Sequence, residues 1–481
     1  MEPDAAAPPA GYGGSRLSTD LEAPDLTAHD GIGVAAADVA GDVGRGPDDG
    51  QILDAIATQA DWMAELIARL IRAPTVLGDE ESGQRVIREV LRDELGLEPV
   101  DVAMDAHALR EHPAAAPFDW SVDGKVNVVA GWQRDDASGS AEPGRSLILN
   151  GHIDVVSPEP VSQWREHEPF GGDRDGDWIH GRGAADMKCG LAAILGAMRG
   201  LSSLGLTPTG RVTFESVVEE ECTGNGTLQT LLAGYTADAA LIAEPFGAAI
   251  TTSQVGVLWF EVRIIGVPGH AAEGQHATNA IEKSLAVIGA LREVESELNA
   301  APPAPFDRFE HPINLNVGTI RGGDWPSTVP GECVTGFRIA MYPGTTIEEI
   351  KQRIESAVTA ATADVPGSAD VSYRGFSSRG YEIVSDHELV RTLAGAFTRQ
   401  AGEPPALVAT TGTTDAAVFG NVGGIPAVCF GPFAEAAHAV GERVYLPSVV
   451  QTAQVIGLFI KDWCGLSESS PDEGRAQAAE R

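Results

Sequence analysis

The stretch LILNGHIDVV, residues 147–156, decides the fold class. Its opening Leu147-Ile148-Leu149 is a short continuous apolar run, the pattern of a strand buried on both faces rather than one with a wet side. A helical stretch from about Gly190 to Leu204 follows. Further apolar runs come at Val212-Thr213-Phe214, Leu241-Ile242-Ala243 and Ala427-Val428-Cys429-Phe430. Buried strands alternating with helices predict an α/β layer with a mostly parallel sheet flanked by helices. Ligands of such sheets gather where strands end and loops begin, and each run here is followed by acids or histidines.

Working outward, Ile56, Leu66, Leu70 and Ile71 recur at helical spacing and predict a first helix over Ile52–Arg72. The middle of the chain has a different rhythm. A strand at Leu258–Ile265, a helix at Thr278–Leu298, strands at Ile313–Ile320 and Cys333–Met341, a helix at Thr346–Ala361 and a short strand at Val371–Tyr373 give the order βαββαβ. That order is a ferredoxin-like α+β unit inserted into the larger domain. Thr345 and Glu348 are spaced as a capping box for its second helix. The expected organisation is a flexible acidic tail over 1–50, a catalytic domain in two parts at 51–256 and 377–466, a lid and dimerisation domain at 257–376, and a flexible tail over 467–481.

Composition narrows the class. Thirty-three Lys and Arg against sixty-nine Asp and Glu give a formal charge of −36, which repels phosphate backbones and anionic lipid. Nucleic-acid and membrane partners are therefore not expected, and no run of 18 apolar residues suggests a membrane span. The first residues, Met1-Glu2-Pro3-Asp4, lack the basic and apolar regions of a secretion signal. Cys189, Cys222, Cys333, Cys429 and Cys464 are scattered, odd in number and without CxxC spacing. They read as reduced thiols of a cytoplasmic protein.

The candidate chemistry lies at the strand ends. In Gly151-His152-Ile153-Asp154, residues two apart face the same side, so His152 and Asp154 converge. A metal-binding histidine commonly gives its second ring N–H to a carboxylate, although an isolated HxD is by default an ordinary strand end. Asp186, in Gly181-Arg182-Gly183-Ala184-Ala185-Asp186, precedes an apolar helix and reads either as a helix cap or as a carboxylate able to bridge two cations. Glu219-Glu220-Glu221 follows the strand Val212–Val218. It is either a solvated acidic loop or a set dividing two roles, one residue binding metal and one taking a proton from water. Glu244 and His438 complete the group, and two histidines with three carboxylates and a spare glutamate suit a pair of zinc ions.

The five motifs, in this order over about Ile52–Leu466, resemble the co-catalytic zinc deacylase and exopeptidase family of acetylornithine deacetylase, succinyl-diaminopimelate desuccinylase, aminoacylase and glutamate carboxypeptidase. The resemblance implies two Zn2+ per chain, with Co2+ as a possible substitute. His152 and Glu244 would hold one ion, Glu221 and His438 the other, and Asp186 would bridge them. Asp154 would orient His152, and Glu220 would be general base and then proton donor. Glu219 stands where the family more often has Asp. By the same resemblance, His270 in Val267-Pro268-Gly269-His270 would stabilise the oxyanion from the neighbouring subunit of a homodimer formed through the lid. Asn316, Arg338 and Gly412-Thr413-Thr414 would contact substrate. Ser327 and Gly336 depart from the family's commoner Asn and Asp.

The implied activity is hydrolysis of the amide bond of a small N-acyl amino acid or N-acyl amine. Dipeptide or carboxy-terminal peptide cleavage and N-carbamoyl or N-formyl hydrolysis are the alternatives within the class. A non-catalytic ligand-binding member is the alternative outside it. About two tightly held dications per chain would favour the enzyme, and none would favour the binder.

Overall fold

The structure, a computed structural model, describes residues 48–133, 144–364 and 369–468. Most of the expected N-terminal tail (1–47) and of the C-terminal tail (469–481) lies outside the described residues. Asp48 caps a helix at Asp49–Ala57 in a capping box with Gln51, and Leu466–Glu468 pairs with Leu206–Pro208.

The helix expected over Ile52–Arg72 is two helices, Asp49–Ala57 and Ala60–Arg72, separated at Thr58 and Gln59. The apolar stripe runs through both, so periodicity alone did not reveal the break. Met63, Leu66, Ile67, Leu70 and Ile71 of the second helix are buried. Against these helices pack Cys189–Ser203 and Leu446–Cys464. Both are apolar around most of their circumference, as helices in the interior of a large domain must be.

The central sheet runs Val100–Ala103, Val126–Trp132, Val212–Val217, Leu147–His152, Ala239–Ile242, Ala427–Cys429, Ile250–Gln254 and Tyr381–Glu382, with Leu407–Thr410 beside Ile250–Gln254. Its four middle strands, from Val212–Val217 to Ala427–Cys429, are parallel, as the buried apolar runs predict. Both margins bring in antiparallel pairings, although Leu407–Thr410 runs parallel to Ile250–Gln254, so the sheet is mixed. Parallel register puts His152 opposite Val217 and both Asn150 and Cys429 opposite Ile242. The C-terminal ends of these strands thus share one edge, and the candidate residues that follow them are brought together there.

The inserted unit has strands Gly256–Ile265, Leu315–Gly322, Glu332–Met341 and Ala369–Ser378, with helices Ala280–Leu298 and Ile347–Ala361. Numbered along the chain, its four strands lie in the order 2-3-1-4 and all neighbours are antiparallel. This is the ferredoxin-like arrangement of a βαββαβ unit. Phe260, Ile264, Leu291, Phe337 and Ile354 belong to its own core cluster. The capping box of its second helix is one residue later than spacing suggested: Thr346 caps and Glu349 reaches back. Among the described residues no helix is long and apolar enough to cross a membrane.

Candidate metal centre

Parallel strands deliver side chains to the edge, and turns aim them. His152 is the last residue of its strand and is 1% exposed. Its Nε2 lies 2.9 Å from Asp186 Oδ1, 3.8 Å from Glu244 Oε1 and 3.9 Å from Glu220 Oε2. The other ring nitrogen, Nδ1, lies 2.8 Å from the main-chain carbonyl of Asp154, and 3.7 Å from its carboxylate. The Asp154 side chain instead accepts the backbone N–H groups of Glu220 (3.3 Å) and Glu221 (3.0 Å). Asp154 therefore ties the histidine's loop to the acidic turn, and the ring is oriented mainly by its main-chain oxygen.

His438 is reached from the far side. Its Nε2 is 3.0 Å from Glu221 and 3.3 Å from Asp186 Oδ2, and its side chain is half exposed. Asp186 thus presents one carboxylate oxygen to each histidine, the arrangement of a carboxylate bridging two cations. Single ligand atoms of His152, Glu220 and Glu244, and likewise of His152, Asp186 and Glu221, lie within 4.8 Å of one another. Both sets share His152, and the first includes Glu220 rather than Asp186. Proximity alone therefore does not separate a ligand glutamate from a base.

The electrostatics of this cluster favour positive charge. Burial pushes the carboxyls of Glu220 and Glu244 well above the usual range. Each is raised further by other acids of the cluster, against the opposing effect of His152. Burial disfavours charged imidazole at His152, yet the hydrogen bond to Asp186 and the charges of Glu220 and Glu244 raise its pKa well above normal. His438 is opposed by burial in the same way and pushed up to about 10 by Asp186 and Glu221. Four carboxylates and two imidazoles within a few ångströms, borrowing protons to balance charge, fit divalent cations.

The three consecutive glutamates divide as only a tight turn permits. Glu219 adopts a left-handed φ of 62° and is fully buried. Its Oε1 accepts from Trp120 Nε1 and Lys125 Nζ, both at 2.8 Å, and its Oε2 accepts from Thr223 Oγ1 at 3.1 Å. Lys125 also lies 2.9 Å from Glu80. Glu219 is therefore a structural anchor, and its neighbours Glu220 and Glu221 face the histidines. The family resemblance sets Glu220 and Glu221 apart from Glu219, but the anchoring of Glu219 by Trp120 and Lys125 depends on distant segments.

The remaining candidates lie elsewhere. His270 is exposed at Gly269–His270, a strand paired with Thr328–Val329, and its Nδ1 accepts from Ala272 N at 3.1 Å. Among the described residues no hydrogen bond or ion pair joins it to the cluster. Arg338 and Asn316 face each other across two strands of the inserted unit. Arg338 is half-buried, burial lowers its pKa, and no ion pair to a carboxylate forms among the described residues. Thr413 and Thr414 are engaged within the fold: Thr413 Oγ1 donates to Val255 O at 2.7 Å and Thr414 Oγ1 to Gln254 Oε1 at 2.7 Å. The Gly412 amide donates to Thr410 Oγ1 at 3.0 Å. Asp415, just beyond them, is buried, accepts from Thr227 Oγ1 at 2.7 Å and has Oδ1 without a partner. Burial pushes its carboxyl up to about 6. In the sequence Asp415 is the last residue of the loop Gly412-Thr413-Thr414-Asp415, whose resemblance points to a substrate carboxylate, and it is given no role of its own.

The model of peptidase family M20/M25/M40 matches residues 148–462. An N-formyl-4-amino-5-aminomethyl-2-methylpyrimidine deformylase of Halalkalibacterium halodurans is 31% identical over 353 residues, covering 68% of this chain and 82% of the relative. A succinyl-diaminopimelate desuccinylase of Paracoccus denitrificans is 29% identical over 407 residues, covering 82% and 96%. Among solved structures, a di-peptidase of Saccharomyces cerevisiae has a TM-score of 0.70 at 14% identity, covering 86% of this chain and 98% of the other, a likeness of fold alone.

Proposed function

This chain belongs to peptidase family M20/M25/M40, and from that premise we propose that it is a two-zinc hydrolase cleaving the amide bond of a small N-acyl amino acid or N-acyl amine. One observation carries this reading: Asp186 meets His152 through one oxygen and His438 through the other. A carboxylate so divided suits two cations, the first with His152 and Glu244, the second with Glu221 and His438. Ions held there would polarise the scissile carbonyl and make a water acidic enough to lose its proton near neutrality.

Glu220 is the base in this reading. It is 6% exposed, and its turn is held by the two backbone N–H groups that Asp154 accepts. Its carboxylate takes the proton of the attacking water and later delivers it to the leaving amine, so one group serves both steps. The raised pKa of Glu220, caused by burial and neighbouring acids, favours the uptake of that proton. Arg338, half-buried and without a carboxylate partner among the described residues, would pair bidentately with a substrate carboxylate. Asn316 and the loop Gly412–Thr414 would line the same substrate.

Among the described residues His270 has no tie to the cluster of its own chain, which suits a role across the interface of a homodimer formed through the inserted unit. We assign the two-part catalytic domain to 51–256 and 377–466 and the lid to 257–376. Five buried free cysteines favour a reducing, cytoplasmic setting. Co2+ would substitute for zinc, because both accept the same nitrogen and oxygen donors.

The test is Glu220→Gln, assayed on N-formyl, N-acetyl, N-succinyl and N-carbamoyl substrates with zinc content measured beside activity. Loss of turnover by roughly a hundredfold or more with both ions retained is expected. Undiminished turnover would remove Glu220 as the base. Wild-type protein that holds no dication would remove the catalytic reading.

A further inference from the structure

Glu442 lies outside the cluster and is fully buried, and the reaction gives it no task. It immediately precedes the strand Arg443–Tyr445, which pairs antiparallel with Trp178–His180 so that Arg443 faces His180. The pairing brings the segment that ends at Glu442 alongside the loop that begins at Gly181, and the Gly181 amide donates to the Glu442 main-chain oxygen at 2.9 Å. These two segments carry His438 and Asp186.

The side chain joins them more tightly. Glu442 Oε1 accepts three backbone N–H groups, from Gly183 at 3.0 Å, Ala185 at 2.9 Å and Asp186 at 3.0 Å. Its other oxygen pairs with the buried guanidinium of Arg182. Through Nη2, Arg182 also donates to the main-chain oxygen of His438 at 3.3 Å. Converging N–H groups form a concavity that favours an anion, and a buried anion needs a cation beside it. Glu442 and Arg182 supply each to the other. The two loops need this tether: His438 sits at a left-handed φ of 62° with a half-exposed side chain, and Ala436 and Gly441 beside it are also left-handed.

We propose that Glu442 and Arg182 are a pair of positioning residues that lock the Asp186 loop to the His438 loop and so fix the distance between the bridging carboxylate and the far histidine. Neither touches substrate. The proposal rests on the reading of Asp186 and His438 as metal ligands, but it makes one claim that is independent of metal. In the metal-free chain, Glu442 holds the three amides and Arg182 holds the 436–441 segment.

Two variants separate the arms of the pair. In Glu442→Gln the amide oxygen can still meet the three N–H groups, but its NH2 then faces the guanidinium, donor against donor, and Arg182 is released. Arg182→Met leaves the three N–H bonds but removes both the tie to His438 and the cation beside the buried Glu442. Hydrogen exchange on the metal-free full-length chain, followed by zinc titration against a chromogenic chelator, reads both effects.

Faster exchange over 436–441 is expected in each variant. One of the two zinc affinities should fall at least about tenfold, the usual cost of losing a partner that orients a ligand, while the other changes little. Wild-type exchange over 436–441 together with unchanged zinc affinities in Arg182→Met would overturn the pair. If Glu442→Gln does not fold, Arg182→Met alone decides, because it leaves the anion and its three N–H donors in place. Wild-type chain that binds fewer than two ions would overturn the metal reading instead, with the exchange result still judging the tether.

Discussion

Lys125→Met would remove the ammonium that lies 2.8 Å from Glu219 and 2.9 Å from Glu80. The three side chains are 6%, 0% and 3% exposed, so water cannot replace the lost charge. Removing one partner of a buried ion pair costs about 3–5 kcal/mol, because the other charge stays buried and unpaired. Glu219 keeps its donors Trp120 and Thr223, and Glu80 keeps the Gly78 amide at 3.0 Å, which puts the expected loss near the lower end, about 3 kcal/mol. Burial lowers the Lys125 pKa, but Glu219 and Glu80 raise it by more, so it lies above the usual lysine value. Stability from a raised lysine is fully present below its unfolded pKa and disappears only as pH rises through the folded one. The lysine's own contribution to the deficit should therefore be the same at pH 6 and pH 9.

Urea unfolding of metal-free protein, followed by tryptophan fluorescence, measures it. With a slope of about 3 kcal/mol per M, the midpoint falls by on the order of 1 M. Because Glu219 sits in a left-handed turn directly before Glu220, turnover should fall as well. A midpoint within about 0.2 M of wild type at both pH values would refute the view that this buried cluster holds the acidic turn.

Three further substitutions probe the structure, two in the frame around the centre and one as a steric control. Glu215, buried in the central strand, accepts from Thr230 Oγ1 at 3.1 Å, and burial pushes its carboxyl up to about 8. It keeps a proton in the folded chain that the unfolded chain loses near 4.5, so wild-type stability falls as pH rises from about 4.5 to about 8, by at most about 1.4 kcal/mol per unit. Glu215→Gln should flatten that slope in thermal or urea curves, and parallel curves for the two proteins would contradict it. At Gly190, a Cβ would stand 2.0 Å from the main-chain oxygen of Ala243. Gly190→Ala should then cost about 1–3 kcal/mol and weaken zinc binding, by forcing the start of the Asp186 helix away from Glu244. Gly289→Ala, in a helix where a Cβ meets nothing within 4 Å, should be neutral or stabilising by about 0.5–1 kcal/mol. Similar urea midpoints for the two variants would refute the steric account.

Much of the fold was legible because its signals are local. Short, mostly apolar runs at Leu147–Leu149, Val212–Phe214 and Leu241–Ala243 mark buried strands, and the switch to βαββαβ rhythm marks the inserted unit. Boundaries were less legible, since hydrophobic periodicity continues across Thr58 and Gln59, where the first helix breaks. The antiparallel margins of the sheet also escaped, because short, partly exposed strands such as Tyr381–Glu382 carry little pattern of their own.

By itself the sequence determined the residue types of the centre, their order, and that each follows a strand. Those facts depend on neighbours a few positions away. Tertiary structure alone showed what each carboxylate touches. Glu219, Glu220 and Glu221 are chemically identical. They are sorted into anchor, cluster-facing group and His438 partner by a left-handed turn and by Lys125, 94 residues distant. Glu442, a lone acid closing the small-residue loop Ala436–Gly441, becomes a clamp on the Asp186 loop across a separation of 256 residues. The role of a buried charge is set by the groups that surround it in space, and for these residues no short-range pattern carries that information.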